Sequence, residues 1–301
     1  MTTALERSVN DTITHPDRGD GLWTLEGPDA RHFLQGQTTA NFESAAIGTA
    51  IRGAFCNPKG RMLADFSAVV VRDDLILLRG RRPVFAALQR HLKPYLMFSK
   101  SELAESDWRC AVIEGLPTNP EPALIHEGGS LREIRLPKGE RYSEIWGPSE
   151  QLPEAEALAS RLIDIVAGEA RIETETIGLY LPQDLNYDLN GAVSFNKGCY
   201  TGQEIVARLH FRGTPKRRLF RARCAGDLEP VPGSTLSTET SDSSVGSLVN
   251  CAPDDNGWAL LIELKPDYAQ ETVCLRSPDT QITLSHIAAC QDGSDQSITT
   301  R

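Results

Sequence analysis

The chain has 301 residues, 40% hydrophobic and 24% charged, with a formal net charge of −10. That length allows two or three domains, and the composition supports a real core. The acidic balance argues against non-specific binding to nucleic acid or anionic membrane, because phosphates would be repelled.

The opening segment "MTTALERSVNDTITHPDRGD" lacks an apolar core and carries acidic residues, so neither a signal peptide nor a transit peptide is expected. No apolar run approaches the roughly 18 residues that cross a bilayer, and no membrane partner is expected. "LWTLEG" (22–27) reads as a strand, followed by a helix with Asp29 near its start and Phe33 and Leu34 on its buried side. Residues 62–80 read as a hairpin turning at Asp73-Asp74. Residues 82–98 carry apolar side chains at 84, 85, 88, 92 and 96, a helical spacing, with Pro94 expected to end or kink the last turn. A β-rich stretch covers 110–147, turning at Gly128-Gly129, and 153–170 reads as helix. From about 216 the chain becomes short strands separated by Pro, Gly, Asp and Asn, including a "DDNGW" hairpin at 254–258. That pattern predicts a small all-β module with a frayed polar tail.

Seven cysteines stand at 56, 110, 199, 224, 251, 274 and 290. Their odd number and irregular spacing, with no C-x-x-C pair, predict a reducing compartment and buried, inert thiols. The six histidines show no ligand spacing, so no metal site is expected, and the glycine patterns of NAD and ATP sites are absent.

Cys199 stands apart. It lies in "FNKGCYTGQEIVAR" (195–208), between glycines at 198 and 202. Thr201 and Glu204 fit a capping box, which would start a helix at Gln203 with Ile205, Val206 and Leu209 facing inward. A thiol just before a helix N-terminus and two residues after Lys197 is favoured as thiolate, with Glu204 opposing. The alternative is a tight turn whose cysteine is core filler.

The run "KGCYTGQE" (197–204) resembles the signature of the YgfZ-type folate-binding family, relatives of the glycine-cleavage T-protein. "LEGPDARHFLQGQTT" (25–39), "CNPKGRMLADF" (56–66), "HLKPYLMFSKSEL" (91–103) and the stretch 181–219 resemble other family segments in the family's order. The resemblance implies an α+β fold, a three-domain clover-leaf like the T-protein with a small C-terminal β-barrel. Its expected parts are 1–49 with 108–213 as a discontinuous N-terminal α+β domain, 50–107 as a central ferredoxin-like domain, and 216–301 as the barrel. It further implies a cytoplasmic protein that binds tetrahydrofolate or a one-carbon derivative. Such a protein supports assembly or repair of iron–sulfur client enzymes, including those that modify tRNA. The functional cysteine maps onto Cys199 and the folate-linked lysine onto Lys197.

Around them, Gly198 lets a ligand approach and Gln203 adjoins the thiol. Arg171 could grip a folate carboxylate or pair with Glu173 or Glu175. Gln183 and Asn186 could meet a pterin edge or fix their own loop. Asn57, Lys59 and Arg61 occupy the central turn. Arg212, Lys216, Arg217 and Arg218 form a basic cluster that could meet a polyglutamate tail or RNA, or be a solvated linker. Where T-proteins carry adjacent aspartates, this chain reads Ala64-Asp65, which weakens a rival reading as a one-carbon (aminomethyl) transferase. An RNA-binding scaffold is a second rival; the net charge argues against direct nucleic-acid binding.

Overall fold

The computed structural model describes residues 19–290 apart from 115–121, 128–129, 139–141, 149, 151, 153–159, 240, 256 and 278–279. The expected turn at Gly128-Gly129, the start of the 153–170 helix and the polar tail from 291 lie outside the described residues.

Five antiparallel strands form the first sheet: β1 (Asp20–Glu26), β2 (Ala50–Cys56), β3 (Met62–Arg72), β4 (Leu75–Arg81) and β5 (Glu102–Glu105). Their order is β2-β3-β4-β1-β5. β3 shows why this sheet is covered on both faces. Alternate side chains of a strand point to opposite sides. Phe66, Ala68 and Val70 enter one core, and Val69 and Val71 enter another. The first core holds the helices α1 (Ala30–Gln37) and α2 (Arg82–Leu96), with Trp23 stacked on Phe85 at 4.3 Å. α2 runs through Pro94 and stops at Leu96. A proline in the last turn costs one hydrogen bond there and no more of the ladder.

The second core seals the first sheet against a second one. This sheet contains β6 (Trp108–Glu114), β7 (Ala123–Glu127), β8 (Ser130–Lys138) and β9 (Tyr142–Pro148) in the order β6-β9-β8-β7. Ile134, Leu136 and Trp146 pack on Leu22, Val69 and Leu77. The boundary expected between residues 49 and 50 falls inside the first sheet, because β1 pairs with both β4 and β5. The physical reason is that β1 is apolar on both faces: Leu22 serves the second core and Trp23 and Leu25 the first. Such a strand is stable only inside a covered sheet.

α3 (Ser160–Ala167), two short 3₁₀ turns (Thr174–Thr176, Pro182–Leu185) and α4 (Gln203–Arg212) lead to the last module. There β10 (Arg218–Cys224), β11 (Thr235–Thr238), β12 (Ser241–Asp254), β13 (Gly257–Leu264), β14 (Val273–Ser277) and β15 (Thr280–Ala289) close into a six-stranded barrel. β15 pairs back onto β10, so no edge is left open. Leu248, Leu260, Ile262 and Leu275 fill the barrel, while Val249, Ala252 and Leu261 face outward into the first core. The barrel is therefore bonded to the α+β body by apolar packing. Among the described residues no helix is long and apolar enough to cross a membrane.

Candidate functional site around Cys199

Cys199 is the exposed member of the seven free cysteines; Cys110 is half-buried and the others are buried. Its loop is held from both sides. The Thr201 N–H donates to the Gly36 carbonyl at the end of α1 (3.2 Å). Tyr200 is buried beside it. Gly202 then opens α4 in the left-handed region, φ 87°. A Cβ there would lie 2.5 Å from the Asn57 carbonyl oxygen and 3.0 Å from the Gly60 Cα. Glycine is required at 202 for both conformation and space. The predicted capping box is not formed: Gly202 is the N-cap, with no side-chain cap. The close approach to the 57–60 turn draws the chain into a conformation in which Thr201 no longer precedes the helix directly. Of the expected inward side chains of α4, only Val206 is fully buried.

Lys197 is placed differently from its expected role. Its Nζ donates to the carbonyls of Gln35 (2.7 Å), Thr38 (2.7 Å) and Ala40 (2.6 Å). These are carbonyls at and just past the C-terminus of α1, where a helix leaves acceptors without partners and favours a cation. A lysine has three donors, and all three are used. Burial pulls its pKa down to about 8, with Glu43 acting the other way. Lys197→Met is therefore expected to cost about 1–3 kcal/mol of folding stability, because it strands carbonyls in a part-buried seat. Urea denaturation would measure this, and an unchanged midpoint would mean the three bonds contribute nothing.

Arg171 is buried, not ligand-facing. Its Nε donates to Asp65 Oδ2, and its Nη1 lies 3.5 Å from Asp20 and 3.7 Å from Asp164. The other Asp65 oxygen accepts the Ile172 N–H at 2.7 Å. Neither Glu173 nor Glu175, the partners expected from sequence, is the one it takes. Burial opposes the Arg171 charge, but Asp65, Asp20 and Asp164 outweigh it and hold the guanidinium firmly protonated. The same network reaches Arg79, which bonds Asp20 and Glu144, and Arg81, which bonds Asp20 and Glu173. Asn250 of the barrel joins it by accepting the Arg171 N–H (2.9 Å) and donating to the Arg171 carbonyl (3.0 Å). Arg171 thus ties the first sheet to α3 and the barrel, and Arg79 carries the same network to the second sheet.

Gln183 is fully buried and donates to the Val206 carbonyl at 2.8 Å, fixing the 3₁₀ turn to α4. Asn186 adopts φ 60° and bridges to the barrel through the Cys290 carbonyl and the Leu219 N–H. The Asn57 side chain accepts the N–H groups of Lys59 and Arg61 and so closes its own turn. Gly198 is exposed, with open space where a Cβ would stand, and Gln203 is half-buried on the first turn of α4. Of the residues expected to hold a ligand, these two remain open beside Cys199. The donor set expected for folate is otherwise spent: Arg171 and Gln183 lie in the interior and Lys197 on α1.

The basic cluster is also divided. Arg217 donates twice to Glu263 and Arg218 twice to Asp188, all at 2.7–3.1 Å. Arg212 and Lys216 stay exposed. Sequence reading missed the neighbours that surround the signature. Phe195 stacks on His210 at 3.6 Å, and Phe211 meets both edge-on while itself 69% exposed. The spacing of 15 residues gave no local signal for that pairing. Among the described residues no group of three or more His, Cys, Asp or Glu is placed to hold a metal ion.

No family model matches this chain. Relatives do. The tRNA-modifying protein YgfZ of Vibrio vulnificus (strain YJ016) is 31% identical over 274 residues, covering 84% of each chain. The chain belongs to the YgfZ family. The YgfZ proteins of Photorhabdus laumondii and Pectobacterium carotovorum agree, at 30% identity over 80% of this chain and 29% over 87%. The fold reaches wider than YgfZ. The crystal structure of glycine cleavage system aminomethyltransferase T from Bartonella henselae superposes with a TM-score of 0.66, covering 88% of this chain and 82% of that one, at 14% identity. The architecture is thus the mixed α/β T-protein type with a closed C-terminal barrel, as the YgfZ resemblance implied.

Proposed function

We propose that this protein is a cytoplasmic accessory factor that binds tetrahydrofolate or a one-carbon derivative. In this reading it supports the assembly or repair of iron–sulfur enzymes, including enzymes that modify tRNA, through the Cys199 thiol. The observation that carries the reading is the exposed Cys199, held on a rigid loop by Thr201, Tyr200 and Gly202 while the other thiols are withdrawn. A buried filler cysteine would not be presented this way, and thiol reactivity requires access. YgfZ family membership and the T-protein fold support the folate ligand. The partners are folate and iron–sulfur client enzymes. The acidic chain and its divided basic cluster do not favour nucleic acid as a direct partner.

Aminomethyl transfer is the weaker reading. Both oxygens of Asp65 are occupied, by Arg171 and by the Ile172 N–H, so this carboxylate is not free to assist attack on a carbon carrier. An RNA scaffold is weaker still, since half of its basic cluster is neutralised internally.

Reduced folate is expected to raise the stability of the purified protein. With 5-formyltetrahydrofolate at ~100-fold above its dissociation constant, stabilisation should be about 2.7 kcal/mol. Thermal denaturation at several ligand concentrations measures it; a melting temperature that no reduced folate moves would remove folate from the account.

A further inference from the structure

The outer face of α4 presents a stripe of exposed side chains. In a helix, residues three and four apart share a face. Arg208, Phe211 and Arg212 therefore stand together, away from the buried Val206, with Glu204 one turn nearer the thiol. Phe211 is 69% exposed, and its ring meets His210 (4.8 Å) and Phe195 (6.0 Å) edge-on, while those two stack on each other. The Phe211 ring is held in place and yet left in water.

The cations of this stripe are unspent. Arg217 and Arg218 are bonded to Glu263 and Asp188, whereas Arg208 and Arg212 carry no ion pair among the described residues. Arg212 lies in the last turn, where a cation suits the helix dipole, but Arg208 lies one turn earlier and gains little from it. Two guanidinium groups beside a fixed aromatic ring make a local basic and apolar patch on a chain whose net charge is −10. Arginine and aromatic side chains are the usual anchors of protein interfaces. The patch is continuous with the signature: Phe195 precedes Cys199 by four residues, and α4 begins four residues after it. A ten-residue helix spans about 15 Å, so a partner seated on the stripe lies within reach of the thiol.

We propose that Arg208, Phe211 and Arg212 form a docking surface for an acidic segment of a client protein, with Phe211 as the apolar anchor and the two guanidinium groups forked onto carboxylates of that segment. A single-stranded nucleic acid fits the patch less well, because it needs successive open ring faces. Phe195 and His210 spend a face on each other at 3.6 Å, and Phe211 meets both edge-on, so no row of open faces is formed. A polyphosphate would also run past the two arginines onto an acidic chain. A short acidic segment brings its charge only where the arginines stand. That the client is an iron–sulfur enzyme rests on the function proposed above; the surface itself does not.

Photocross-linking in cells tests it, with the full chain carrying benzoylphenylalanine at position 211 and, as control, at position 228, where Leu228 is also exposed but on the barrel. Cross-links from 211 should exceed those from 228, join the chain to a protein, and map by mass spectrometry to a segment rich in Asp and Glu. Combining Arg208→Glu with Arg212→Glu should lower their yield about tenfold, and lysine at both positions should keep most of it. Circular dichroism melting checks that the variants fold, and Arg208→Glu alone gives the same reading at smaller amplitude. Charge-dependent cross-links to an iron–sulfur enzyme support the surface and the proposed function together. Charge-dependent cross-links to an acidic segment of a protein without such a cluster support the surface and count against that function. Cross-links that charge reversal leaves unchanged, cross-links to RNA that ribonuclease removes, or a yield at 211 no higher than at 228 each overturn the surface and leave the function proposed for Cys199 untouched.

Discussion

Arg171→Met is expected to lower folding stability by about 3–5 kcal/mol, the usual cost of leaving buried charges without their partner. The substitution would strand Asp65, and would take one cation from Asp20 and Asp164, all in the interior. It would also loosen the joint with Asn250 and hence the seating of the barrel. The acid limb of the stability curve should change with it. Burial pushes the Asp20 carboxyl up, but Arg79, Arg171 and Arg81 together outweigh burial and hold it well below the usual carboxylate range. A depressed carboxyl stabilises the fold above its unfolded pKa of roughly 4 and gives that up as pH falls through the folded value. The wild-type chain should therefore lose stability steeply below about pH 4, and Arg171→Met should lose less over the same interval. Urea denaturation across pH reads both. A variant with wild-type stability but weakened folate binding would return Arg171 to the ligand and contradict its placement in the core.

The fold was legible in the sequence wherever periodicity was local. β3 and β4 turn at Asp73-Asp74 as their alternation predicts, and α2 follows its apolar spacing. The barrel starts at Arg218, close to the composition shift at 216. The pairing of β1 was not legible, because a strand apolar on both faces says only that it is covered, not which strands cover it. The site was legible at Cys199 and misleading around it. Arg171, Gln183 and Lys197 are polar residues at motif positions, and their partners lie 106, 23 and up to 162 residues away. Nothing in a linear pattern reveals that the lysine before Gly198 caps the helix α1. The capping box failed for a similar reason: Gly202 must fit against Gly60 and Asn57, and that long-range contact sets the helix start.

Cys199→Ser is expected to abolish the cellular role while leaving stability within about 0.5 kcal/mol of wild type, since an exposed substitution of nearly equal shape disturbs no packing. A serine hydroxyl stays protonated at neutral pH and cannot replace a thiolate as nucleophile or metal ligand. The most direct measurement is complementation. In cells deleted for their own YgfZ-family gene, one measures the level of a tRNA modification whose enzyme carries an iron–sulfur cluster. Expression of the wild-type chain should restore that modification, and Cys199→Ser, present at the same level and with the same melting temperature, should not. Full restoration by Cys199→Ser would show that the exposed thiol is not the working group and would contradict the account.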